Sequence, residues 1–182
     1  MKIRALLSLG AAFFALAGCS EPITPAFAPE SAPAALASTG GIDLAGVLEF
    51  AALPDLSGAR HAEAYIRAAE GGVVELNGFR VEIPAGALPA DTLVTIDLPR
   101  NAVLGKRVIA EFGPHAVQFS TPVKITFPLE GVLLPSTGGV GVARWENGAW
   151  TPLGGSVSDD GSSLSSTTPH FSAYGGHVTA GG

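Results

Sequence analysis

Residues 73–83 read "VVELNGFRVEI". Asn77-Gly78 is a strong signal for a two-residue hairpin turn, because both central positions of that turn require positive φ. Counting outward pairs Leu76 with Phe79, Glu75 with Arg80 and Val74 with Val81. Two apolar pairs then share one face, and an opposite-charge pair sits on the other. This register predicts antiparallel sheet with one packed side and one wet side.

The same logic extends outward along the chain. In "RWENGAWTPL" (residues 144–153) Asn147-Gly148 closes a second hairpin, pairing Glu146 with Ala149 and Trp145 with Trp150. The tryptophan pair is of the non-hydrogen-bonded kind, where side chains approach closest and two indoles can meet edge to face. A third turn is expected at Asp160-Gly161, between "GGSV" and "LSSTT". "LVTIDL" alternates Val94, Ile96 and Leu98 against Thr95 and Asp97, and "VKITF" alternates Val123, Ile125 and Phe127 against Lys124 and Thr126. One-sided alternation at short spacing predicts an all-β fold, an antiparallel two-sheet β-sandwich, with no helix of useful length.

The amino terminus has a different character. "MKIR" places Lys2 and Arg4 ahead of the apolar run "ALLSLGAAFFALAG", the charged and hydrophobic regions of a signal peptide over residues 1–18. The run is too short for a permanent membrane span. It ends at Cys19, the only cysteine of the chain. Leu16-Ala17-Gly18-Cys19 resembles a bacterial lipobox, which implies cleavage before Cys19 and acylation of that residue. A single acyl chain anchors only marginally, so the several chains that such a cysteine carries make attachment stable. By the rule of that family, Ser20 after the cysteine directs the protein to the outer membrane.

Residues 20–41, "SEPITPAFAPESAPAALASTGG", are rich in Pro, Ala and Ser without helical or strand period. They read as a flexible tether, so residues 19–61 are expected to be lipidated cysteine plus linker and residues 62–178 the sandwich. "IDLAGVLEFAALPDLSGAR" (42–60) is open between a short helix, a strand at the domain edge and more linker. Loss of Lys2 and Arg4 with the leader takes the basic count from 10 to 8 against 16 acidic residues, and the charge from −6 to −8. That balance excludes nucleic acid and anionic lipid surfaces as partners. With one cysteine the fold has no internal disulfide and must rest on its core.

Two longer stretches carry a resemblance. "VEIPAGALP" (81–89) is a strand running into a proline turn, and "FGPHAVQFSTPVKITFP" (112–128) combines Gly113-Pro114-His115 with Phe119, Pro122-Val123 and Pro128. With the Trp145/Trp150 hairpin and a terminal "HFSAY" (170–174), they resemble the ZU-five domain of zonula occludens proteins, netrin receptors and ankyrins, over Ala64 to Tyr174. The resemblance implies a β-sandwich and, in the animal proteins, binding to other proteins or packing on a neighbouring domain. It transfers fold better than function.

His170-Phe171-Ser172 holds the one candidate chemistry. In a few members of that family an "HFS" sequence cuts itself between Phe and Ser. By that precedent Ser172 Oγ attacks the Phe171 carbonyl, His170 moves the protons, and water hydrolyses the resulting ester. A serine needs both a base and a strained peptide for this. The alternative is structural: on a regular strand His170 and Ser172 share one face and Phe171 plugs the core from the other.

The four histidines, His61, His115, His170 and His177, show no mutual ligand spacing, and His115 is expected to serve a turn. Asp159-Asp160-Gly161 lacks the further ligands of a calcium loop. The expectation is therefore an envelope lipoprotein without cofactor or metal, not an enzyme, whose sandwich is an interaction or structural module. Its partners would be the bilayer, through Cys19, and an envelope protein or glycan. The competing readings are self-cleavage at Phe171-Ser172 and glycan binding by Trp145 and Trp150, which are expected to be core residues unless they face solvent.

Overall fold

A computed structural model describes residues 42–179 except residue 116. The expected signal peptide, lipid attachment at Cys19 and flexible tether lie outside the described residues.

The described chain is an antiparallel β-sandwich. One sheet has six strands, in the order β10 (Ala149–Gly154), β9 (Gly139–Glu146), β13 (Ala173–Thr179), β6 (Ile109–Gly113), β5 (Thr92–Asp97) and β2 (His61–Ile66). The other has five, in the order β11 (Ser156–Val157), β12 (Ser163–His170), β7 (Gln118–Pro128), β4 (Phe79–Ile83) and β3 (Gly72–Leu76). The short strands β1 (Glu49–Phe50) and β8 (Val132–Leu133) pair with each other. Among the described residues there is one four-residue helix, α1 (Ala102–Gly105), capped by the Asn101 side chain, which accepts from Leu104 N at 2.8 Å.

The hairpins follow from their turns. Asn77 and Asn147 have φ of 51° and 53°, each followed by a positive-φ glycine, and they close β3–β4 and β9–β10 in the registers counted from sequence. Val74, Leu76, Phe79 and Val81 are buried between the sheets, while Glu75 meets Arg80 at 3.3 Å outside. The alternations of β5 and β7 also face inward: Val94, Ile96, Val123, Ile125 and Phe127 are all fully buried. Around Phe127 the rings interlock edge to face, with centroids 5.6 Å from Phe79 and 6.1 Å from Phe112. Among the described residues the buried hydrophobic side chains lie between Ile42 and Tyr174.

Residues 42–60 do not behave as linker: the packed body already includes Ile42, ahead of the boundary expected at residue 62. They form a strap knitted in by backbone hydrogen bonds. Leu48 N donates to Gly176 O at 2.8 Å, Val108 N to Leu48 O at 2.9 Å, and Phe50 N to Lys106 O at 2.9 Å. Leu48 enters the main core, while Ile42 and Val47 join Leu104 and Ile109 in a smaller cluster that also packs Trp145 and Trp150. Apolar side chains at these positions explain the docking, since leaving them in water would forgo ~1.5–3 kcal/mol for each large one buried.

Candidate functional site

The segment His170-Phe171-Ser172 stands where the chain leaves one sheet for the other. β12 ends at His170 in the five-stranded sheet, and β13 begins at Ala173 in the six-stranded one. The register of β12 against β7 slips between Thr168 and His170 just before this crossing. The regular strand that would align His170 with Ser172 is therefore broken, because the chain must turn across the sandwich.

Phe171 is the plug of that corner. It is 1 % exposed, meets Phe119 edge to face at 4.7 Å, and stacks over Phe112 at 6.4 Å. Its polar neighbours are tied to backbone. His170 Nδ1 lies 3.0 Å from the carbonyl oxygen of Phe171, where it can donate. Ser172 Oγ donates to Trp145 O at 3.1 Å, and Phe112 N donates to Ser172 O at 3.0 Å.

This arrangement brings the three motif residues together but gives them different tasks. An acyl shift needs a base on the Ser172 hydroxyl. The imidazole instead contacts the oxygen of the bond that would break, and the hydroxyl proton points at another carbonyl. Nor is there left-handed backbone strain at the corner: among the described residues, the non-glycine residues with positive φ are Asn77 and Asn147.

Two further residues complete the corner, Thr168, which carried no sequence signal, and Tyr174, which closes the "HFSAY" stretch. Thr168 and Tyr174 are both fully buried, their hydroxyl oxygens 2.7 Å apart. Tyr174 OH donates to His170 O at 2.5 Å, and Thr168 Oγ1 stands 2.9 Å from the same carbonyl. Burial pushes the Tyr174 phenol up to about 12, with the Thr168 hydrogen bond opposing the shift. A buried glutamate lies next door. Glu111, 4 % exposed and opposite Ala173 in the sheet, has its Oε1 3.0 Å from His115 Nε2. His115 itself follows the cis Gly113-Pro114 bond in the loop after β6.

The tryptophan hairpin forms as its turn requires, with ring centroids 5.3 Å apart at 61°. Both indoles are half-buried, and they lie outside the inter-sheet core, with the smaller cluster beneath the strap. Trp150 Nε1 donates to the carbonyl of Asp43, and its ring lies over Gly175, where an added Cβ would come within 3.2 Å. Bare backbone at Gly175 makes that close approach possible. Among the described residues no three His, Cys, Asp or Glu side chains are grouped as a metal ion would require, and no helix is long and apolar enough to cross a membrane. No protein-family model matches this chain, and no curated protein matches it either.

Proposed function

We propose that the chain is an envelope lipoprotein, anchored through acylated Cys19 and directed to the outer membrane, whose ZU-five-like sandwich works without catalysis as an interaction or structural module. The observation that carries the non-catalytic part is the Phe171-Ser172 corner, where imidazole and hydroxyl are spent on separate backbone carbonyls. The strap supports the display part. Docking of residues 42–50 on the sandwich means that a tether reaching residue 42 continues straight into the folded body. The strap over the indoles speaks against a sugar-stacking platform.

The test is to recover the protein from envelope membranes and determine its intact mass. One chain from acylated Cys19 to Gly182 is expected. Loss of a Ser172–Gly182 fragment would establish self-processing instead. Cys19→Ser should move the protein to the soluble fraction, and an unchanged distribution would remove the anchor from the account.

A further inference from the structure

Arg60 is a buried cation that touches no carboxylate among the described residues, although Asp55 acts on it through space as an opposite charge. It is 5 % exposed and immediately precedes β2. Its Nε and Nη2 both reach the carbonyl of Pro99, at 3.2 and 2.6 Å. That one oxygen serves two of the three guanidinium nitrogens, and Nη1 has no hydrogen-bond partner among the described residues. A guanidinium has five N–H donors and stays protonated in proteins, so several donors are left over. Among the described residues no carboxylate forms an ion pair with it. Of the carboxylates nearby, Asp55 accepts from Ser57 N and Oγ at 2.8 and 2.7 Å, and Glu49 holds Arg107 at 3.0 Å. Leaving a buried charge unpaired is costly, so an anion that reached these donors would gain from them.

Arg60 lines a cleft of about 610 Å3 between the strap and one end of the sandwich. The other walls include Phe50, Leu53, Phe79, Leu98 and Pro128, with Asp55, Glu130 and Arg107 also at the lining. That volume falls in the range of small-molecule sites, which are apolar with a few polar groups that orient the ligand. Leu53, 48 % exposed, is an apolar residue left partly in water at this cleft.

We infer that this cleft binds a small organic carboxylate with an apolar body, its carboxylate on Arg60 and its hydrocarbon along Phe50, Phe79 and Leu98. A guanidinium fork matches a carboxylate's two oxygens. One guanidinium suits a monoanion: Arg107 is already held by Glu49, and the Asp55 and Glu130 carboxylates at the lining would repel a second negative charge. This site is separate from the Phe171-Ser172 corner and does not depend on the non-catalytic reading.

Octanoate, titrated into the full chain and followed by backbone amide resonances, tests the site. Shifts should concentrate at residues 50–60, 98–99 and 128–131, and octanoate should bind about tenfold tighter than 1-octanol, the worth of one charge-assisted hydrogen bond. Arg60→Met should erase that preference. Should Arg60→Met fail to fold, Leu53 decides the matter from an exposed position. Leu53→Asp places an anion in the mouth and should weaken octanoate several-fold, while Leu53→Lys should not weaken it. Octanoate binding no better than octanol, or insensitivity to Leu53→Asp, overturns the inference.

Discussion

The hydroxyl oxygens of Thr168 and Tyr174 lie 2.7 Å apart beneath the carbonyl of His170, with both side chains sealed from water. Three oxygens thus share two hydroxyl protons at the point where the chain changes sheets. Tyr174→Phe removes one proton and leaves the His170 carbonyl to Thr168 alone. An incompletely satisfied buried group costs about 1–3 kcal/mol, so urea unfolding of Tyr174→Phe should show that loss at an unchanged m-value. Thr168→Val should cost less, because Tyr174 still serves the carbonyl. The pair should be non-additive, as expected for one shared network.

Alkaline pH tests the same corner. The phenol of Tyr174 ionises near 12 in the folded chain and at its ordinary value of 10.0 when unfolded. The folded state holds this proton more tightly, so the contribution is complete below pH 10 and is lost as pH rises toward 12. A phenol raised from 10.0 to about 12 corresponds to a stabilisation on the order of 3 kcal/mol. Of the two tyrosines, one should give a late tyrosinate absorbance that coincides with unfolding. Tyr174→Phe should abolish that step, and its persistence would assign it to another group.

The parts of this architecture that were readable in the sequence are those with local causes. Asn77-Gly78 and Asn147-Gly148 each specify two positive-φ positions, and one such turn sets the partner of every residue beside it. At the corner Phe171 is readable as a core plug, but the change of sheet is not, because "TTPHFSAY" keeps alternating while the distant Phe112 and Phe119 rings receive Phe171. The strap was undecided for a similar reason. Val47 bridges to His177, far along the chain, and no periodicity announces a two-residue strand. Arg60 and Glu111 gave no warning at all, since a charged residue in a sequence reads as surface.

His61 should titrate above its ordinary value of 6.5. Its Nδ1 lies 2.8 Å from Asp97 Oδ1, and that hydrogen bond is the main cause of the upward shift, with Glu63 adding to it. A raised value means the stabilisation is complete below pH 6.5 and fades as pH rises through the folded midpoint. Because the pair is well exposed, the effect on stability is small and the titration itself is the sensitive readout. The imidazole C–H resonances should place His61 above 6.5, and Asp97→Asn should bring it back down. A midpoint that ignores Asp97→Asn would show that the contact does not persist in solution.

Gly46 is the pin of the strap. Its φ of +74° is left-handed, and an added Cβ would stand 2.4 Å from His177 Cε1. The imidazole is not free to step aside, since His177 Nε2 lies 3.0 Å from Ala45 O while Val178 N donates to Gly46 O at 2.8 Å. Gly46→Ala therefore meets two penalties, about 1–2 kcal/mol for the left-handed backbone and a further steric term. Lifting residues 42–47 would uncover Trp150, so iodide should quench tryptophan fluorescence more strongly in Gly46→Ala than in the parent. His177→Ala separates the two penalties, because it removes the ring that the methyl strikes but not the backbone strain. The double variant should then cost less than the sum of the single ones. If the costs simply add, the ring is not what Gly46 makes room for, and the strap is held by its backbone bonds and apolar side chains alone.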